Sequence, residues 1–361
     1  MRENNVKVIA KRLSKGILLF MLIIACLLSV VACNQTEVTP STQNVDMAST
    51  KRETEEINEN EDIEAKEGQV EVGDPFRLDI TYDLATDEDF KGSKDGEFLY
   101  VGDKKFVEIP QAIKGVPITS YNGLFASSSV EAVKSTNKNV TNMSGMFRNL
   151  KSTSIDLYEL DTSSVTDMAL MFEGTRLNRL DLRTFDTSNV TDMGFMFSAS
   201  RDLTYLDISN FNTAKVKNMS GMFQAIGVEE LDITHFDTKE LVSISHMFSS
   251  LKAKEIDLSN FDTSNVKYME YTFAGARLEK LDLSNFNTSK VETMQHLFEG
   301  MENIKELDLS GFDFDSLDRM YGLSYIFDDS NIETVYVKDN ADAEFLETAK
   351  DNPEGIVVKV K

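Results

Sequence analysis

Between residues 118 and 338 the hydrophobic positions of the chain recur every 25 or 26 residues. An apolar-Asp-apolar triplet centres on Asp156, Asp181, Asp207, Asp232, Asp257, Asp282 and Asp308. A phenylalanine keeps step with it at Phe147, Phe172, Phe197, Phe223, Phe248, Phe273 and Phe298. Self-similarity at a period of roughly 20–50 residues marks a solenoid, in which each unit buries its apolar side only against its neighbours. Within the unit 203–227, Leu203, Leu206, Ile208 and Phe211 fit a leucine-rich-repeat pattern. They predict a short strand with Leu206 and Ile208 facing in and Asp207 facing out. Val216, Met219, Met222 and Phe223 follow at i, i+3, i+6 and i+7, the spacing of one face of a short helix or 3-10 stretch. The expected fold is an α/β repeat solenoid, a leucine-rich-repeat-like stack of short parallel strands and short helical or 3-10 segments.

The pattern changes at both ends of the repeats. In residues 75–117, Phe76, Leu78, Ile80 and Tyr82 alternate with polar residues and predict a half-buried strand. Residues 98–101 and 106–109 flank Gly102-Asp103-Lys104-Lys105 and predict a hairpin. A stack of repeats exposes an apolar cross-section unless it is covered. Residues 75–117 are therefore expected to form a β-rich N-terminal cap, with the repeat solenoid over 118–338. Phe327 follows Phe298 by 29 residues, which stretches the last turn. A strand over 332–337, a short helix over 341–350 and a strand over 356–360 are expected next, with 339–361 as a small C-terminal cap.

Residues 1–33 have the layout of an export signal. Arg2, Lys7, Lys11, Arg12 and Lys15 precede an apolar run from 17 to 32, too short and one-sided for a membrane span. The run ends Val30-Val31-Ala32-Cys33, similar to a bacterial lipobox, so Cys33 is expected to carry lipid and anchor the protein to the membrane; Cys26 fits the lipobox more loosely. These two are the chain's only cysteines, which leaves neither a disulfide framework nor a thiol nucleophile. Residues 34–74 have almost no apolar content and read as an acidic disordered tether. The formal net charge is −24. Without the leader it becomes about −28, which argues against nucleic acid as a partner; it suits solubility, repulsion from an anionic envelope, or a basic partner.

The repeats "LDLSNFNTSKVETMQHLF", "LDLRTFDTSNVTDMGFMF" and "IDLSNFDTSNVKYMEYTF" resemble the BspA-like leucine-rich-repeat surface proteins. That is a 25–26-residue repeat class of unknown function found in Firmicutes and mycoplasma lipoproteins. The likeness covers residues 98–338, including the opening segment "VEIPQAIKGVPITSYNGLF". The resemblance implies a cell-surface location and a role in adhesion or host-component binding, and an exported chain without disulfides suits a Gram-positive surface. It carries over no catalytic residue and no cofactor.

The candidate site is the outward strand face. Stacked strands lie about 4.8 Å apart, so the seven aspartates should form a row. Such a row could attract basic side chains; equally, each carboxylate could satisfy donors of its own turn. Flanking positions vary from repeat to repeat: Arg179, Tyr205, Glu230, Glu255, Lys280 and Glu306 on one side, and Arg183, Ser209, Thr234, Ser259, Ser284 and Ser310 on the other. Variation of that kind suits a recognition surface and equally a solvated one, with Arg179 and Tyr205 as plausible anchors. Met143/Met146, Met168/Met171, Met193/Met196 and Met219/Met222 read as core fillers. His235, His246 and His296 read as surface residues, the last two in one register and roughly 10 Å apart, too far to share a zinc ion. No phosphate loop, nucleophile elbow or catalytic triad pattern is present. The function expected is a lipid-anchored adhesion or protein-binding module on the extracellular face of the cell membrane, with no enzymatic role; the alternative is a structural spacer without a specific ligand.

Overall fold

The periodic phenylalanines stack into one internal column. Phe125, Phe147, Phe172, Phe197, Phe223, Phe248, Phe273, Phe298 and Phe327 follow one another at centroid separations of 5.5–6.2 Å, with planes within 16° of parallel. The computed structural model describes residues 80–92, 97–317, 322–347 and 355–361. They form a parallel-strand β-solenoid of about ten turns with little helix. All four methionine pairs named above are fully buried beside the column.

The helical half of the α/β expectation is not what the chain builds. The only α-helix among the described residues is Asn340–Glu347, outside the repeats. The stretch holding Met219, Met222 and Phe223 is a run of tight turns with two kinds of hydrogen bond in strict alternation. The N–H groups of Met222, Gln224 and Ile226 donate three residues back, to Met219, Gly221 and Phe223. Those of Met219, Gly221, Phe223 and Ala225 donate to the carbonyls of Ser243, Ser245, Met247 and Ser249 on the next turn. No helix can form when every second donor leaves the segment. The backbone requirement is a left-handed residue at two positions four apart in each turn, such as Gly221 (φ 60°) and Ala225 (φ 51°). Elsewhere Leu170, Phe195, His246 and Tyr271 hold the first of these positions at φ of 56–61°. Each costs about 1–2 kcal/mol in a non-glycine residue, which the bonds between turns offset. Beside this segment a parallel ladder of single bridges runs without interruption from Ser120 through Asn142, Asp167, Asp192, Asn218, Ser243 and Tyr268 to Thr293.

A buried threonine closes each corner. Thr187 donates to the Asn212 carbonyl at 3.0 Å and accepts the Asn212 N–H at 2.7 Å. Thr162, Thr238, Thr263 and Thr288 make the same pair of bonds to the following turn.

At the N-terminal end the hairpin differs from the expected one. Phe98–Tyr100 pairs antiparallel with Phe90–Gly92, not with 106–109. Phe106–Glu108 instead joins a parallel sheet between Asp83–Leu84 and Ala132–Lys134. The apolar positions explain the choice: Tyr100 packs edge-on against Phe90 and at a tilt against Phe125 at the head of the phenylalanine column, and Val107 is buried within the parallel ladder. At the other end Glu306–Asp308, Thr334–Val337 and Val357–Val360 form a parallel sheet, with Leu346 of the helix buried. The leader with Cys33, the tether and Phe76 and Leu78 lie outside the described residues.

Candidate functional site

All seven aspartates of the row point outward, as the strand alternation requires. Asp156, Asp181 and Asp207 are half-buried; Asp232, Asp257, Asp282 and Asp308 are exposed. Each uses Oδ1 to accept the N–H of the residue two further on: Tyr158, Arg183, Ser209, Thr234, Ser259, Ser284 and Ser310, at 2.9–3.2 Å. Every aspartate thus closes the bend that leaves its strand, by the local side-chain-to-backbone bond that makes Asx turns favourable. The row therefore has a structural reason to exist before any ligand is considered.

Cations reach only part of it. Arg183 forks onto Asp181 (Nη2–Oδ2 2.7 Å, Nε–Oδ1 3.0 Å) and extends its Nε to within 3.5 Å of Asp207 Oδ2. The Arg179 guanidinium lies 3.5 Å from the centroid of the Tyr205 ring, and the Tyr205 hydroxyl donates to Asp207. Lys361 pairs with Asp308. In the middle of the face, Lys254 pairs with Glu279 on the next turn and Lys280 with Glu255 on the previous one. Around Asp232, Asp257 and Asp282 the surface forms a shallow groove of about 640 Å³, also lined by Leu231, Ile256, Glu229, Glu230, Glu255, Lys254 and Lys280. Of the candidate flanking residues, Glu230, Glu255 and Lys280 line this groove, whereas Arg179, Tyr205 and Glu306 lie on either side of it. Among the described residues no three His, Cys, Asp or Glu side chains converge as a metal set would, and no helix is long and apolar enough to cross a membrane.

Two of the three histidines are not simple surface residues. His246, Tyr271, His296 and Tyr325 form a stacked column of rings, with centroids 4.6, 4.2 and 4.8 Å apart, at the left-handed position of successive turns. His246 and His296 are half-buried, and His296 Nδ1 meets Glu299 at 2.6 Å. The signal in the sequence was the aromatic residue at the same register in the intervening and following turns. His235 is exposed and rests against the Ile208 carbonyl.

These environments set opposite-looking but additive acid sensitivities. Arg183 holds the Asp181 carboxyl below the ordinary range, the Thr234 and Ser259 hydroxyls do the same for Asp232 and Asp257, and the Ser284 N–H does so for Asp282. Such carboxylates add stability above about pH 3.9, their unfolded value, and lose it as pH falls through their folded values. Burial in the ring column, aided by neighbouring His296, brings the His246 imidazole down to about 4. Unfolded histidine takes its proton near 6.5, so stability drops as pH falls from about 6.5 to about 4, by less than about 1.4 kcal/mol per pH unit for a half-buried ring. The melting temperature is therefore expected to fall in two stages, below about pH 6.5 and again below about pH 4. The variant His246→Tyr keeps the stack, at a backbone position that Tyr271 and Tyr325 already occupy, and should remove the first stage only. A melting temperature flat from pH 7 to pH 4.5 in the wild type would contradict the buried, neutral imidazole.

The family model for "Mycoplasma protein of unknown function, DUF285" matches two adjacent segments, residues 119–229 and 225–334. No curated protein and no solved structure matches the chain. The two matched segments cover most of the solenoid, from the first turn to the start of the strand after Phe327, and the chain belongs to the DUF285 family.

Proposed function

We propose that the protein is a lipid-anchored repeat protein of the bacterial surface that binds another protein through its outward strand face, as its resemblance to BspA-like proteins implies. One observation carries this reading: the interior repeats phenylalanine, methionine and threonine almost unchanged from turn to turn, while the outward positions run Arg179, Tyr205, Glu230, Glu255, Lys280, Glu306. A surface that differs at each step gives a partner a register to read. On this reading Cys33 anchors the chain to the membrane, residues 34–74 hold the solenoid away from it, and the elements at 80–117 and 340–361 cover the two ends. The partner presents a basic surface, and the face carries no catalysis. The test compares the full chain with the charge-reversed variant Glu230→Lys/Glu255→Lys/Glu306→Lys for saturable binding to purified matrix and cell-surface proteins. Measurements at about 50 mM and about 500 mM salt gauge the electrostatic share. At least a tenfold loss on reversal and weakening by salt are expected. Binding indifferent to both would remove the acidic face from the account, and no saturable binding to any of them would leave the spacer role.

A further inference from the structure

The outward face is not equally closed along its length, and its one closed step carries a bridging cation. Of the six steps between consecutive aspartates of the row, one is a paired strand ladder: Arg179–Asp181 against Tyr205–Asp207. It is also the step at which a single guanidinium, that of Arg183, reaches both carboxylates. Beyond Asp308 the ladder closes again, against a strand with Tyr336 at the facing position and with Lys361 on the carboxylate. Among the described residues, no lysine or arginine side chain pairs with Asp232, Asp257 or Asp282, and no backbone hydrogen bond joins residues 231–232, 256–257 and 281–282 to one another. Leu180 and Leu307, beside closed steps, are buried, but Leu206 of the closed ladder is half-exposed, as are Leu231, Ile256 and Leu281. Like charges directly opposite one another disfavour strand pairing, and a cation between them reverses the sign.

We infer that the two steps between Asp232, Asp257 and Asp282 take up guanidinium groups of an arginine-bearing partner segment, each held between stacked carboxylates as Arg183 is held between Asp181 and Asp207. The proposal rests on the strand-face reading above and names the chemistry its partner must bring. The chain itself contains the template, with a guanidinium on two aspartates one turn apart and the ladder closed beneath it. A planar fork can serve two carboxylates at once, whereas an ammonium is a point charge, so arginine should be preferred to lysine. The groove supplies the rest, with apolar Leu231 and Ile256 beneath the stems of the incoming side chains and Glu230 and Glu255 at its edge. The local cations Lys254 and Lys280 also line the groove, in exposed ion pairs with Glu279 and Glu255, and an incoming guanidinium must outcompete them.

The test uses the full chain and fluorescein-labelled octa-arginine and octa-lysine peptides, read by anisotropy at low salt. Octa-arginine should bind at least threefold more tightly than octa-lysine. The variant Asp232→Asn/Asp257→Asn/Asp282→Asn should weaken it at least tenfold. Asparagine keeps the oxygen that closes each bend, so an unchanged melting temperature will show that the fold survives. Neutralising three acidic residues elsewhere, Glu240→Gln/Glu302→Gln/Glu347→Gln, removes the same charge and should change affinity less than twofold. Peptide should also slow amide hydrogen exchange at Ile256 and Asp257. Ser259→Arg, which sets a guanidinium two residues after Asp257, should slow the same amides without peptide and reduce peptide binding. The proposal is overturned if the Asn variant binds as well as wild type, if the two peptides bind alike, if bound peptide leaves those amides unprotected, or if millimolar calcium at constant ionic strength displaces octa-arginine. Protein capture that depends on Glu230, Glu255 and Glu306 while the Asn variant still binds octa-arginine would sink this inference and leave the strand-face reading standing. Octa-arginine binding as expected without any protein capture would do the reverse.

Discussion

Phe223→Ala is expected to cost about 3–5 kcal/mol, the range for deleting a fully buried aromatic ring. The Phe223 ring is inaccessible to solvent and sits between Phe197 at 5.9 Å and Phe248 at 6.2 Å, with Phe236 against its side at 6.4 Å. Its neighbours above and below belong to other turns, so the void separates turns as well as emptying one. In a stack where each unit is stabilised chiefly by its neighbours, loss at a central interface can uncouple the two halves. Urea unfolding followed by circular dichroism should show a lower midpoint and a broader or split transition. Phe223→Leu refills most of the volume and should cost clearly less. A cost below about 1 kcal/mol for the alanine variant, with a single sharp transition, would mean that the ring column is not the continuous core described above.

The second large effect is expected at Gly227. A β-carbon there would lie 2.3 Å from the Arg201 carbonyl oxygen and 2.6 Å from that of Leu203, both on the backbone of the preceding strand's approach. Side chains can rotate away, but these two oxygens move only if the turn moves, and the Gly227 N–H is already committed to the Ser200 carbonyl. Gly227→Ala should therefore cost about 3 kcal/mol or more, at or above the upper end of overpacking losses. Gly275→Ala is the matched comparison. Its φ of +65° penalises alanine, but the nearest atom to a new β-carbon is the Ser250 hydroxyl at 3.4 Å. That change should cost about 1 kcal/mol. Equal costs for the two, measured by the same unfolding curves, would show that close approach at Gly227 is not what excludes a side chain.

The sequence pattern disclosed the solenoid, the phenylalanine column and the outward aspartates because each depends only on spacing. Asp207 between Leu206 and Ile208 must face away from them in any extended segment, and it does. The segment at Val216–Phe223 misled because i, i+3, i+6 spacing records which residues face the core and is silent about where the N–H groups go. Tight turns bonded to the next coil and a short helix bury the same side chains. The left-handed backbone at Phe195, His246 and Tyr271 is not signalled by those residues themselves; the cue is glycine at the same register in other turns, Gly123, Gly145 and Gly221. The misplaced hairpin has a related cause: Gly102-Asp103 is a good local turn, but the pairing of Phe98 and Tyr100 was decided by Phe90 and Phe125, which are distant in sequence. In the candidate site the row and its variable flanks were visible, and the bridging role of Arg183 was not, because it needs the register of two turns at once.

The bonds that leave the turn segments also give the array a direction. From Gly123 to Gly300 they run the same way, each N–H pointing to a carbonyl on the later coil. Their dipoles put the positive pole toward the C-terminal end, and bonds of the opposite sense beside them, such as Thr191 N–H to the Thr166 carbonyl and Lys217 N–H to the Thr191 carbonyl, offset part of it. Whole coils can be gained or lost without disturbing this alignment.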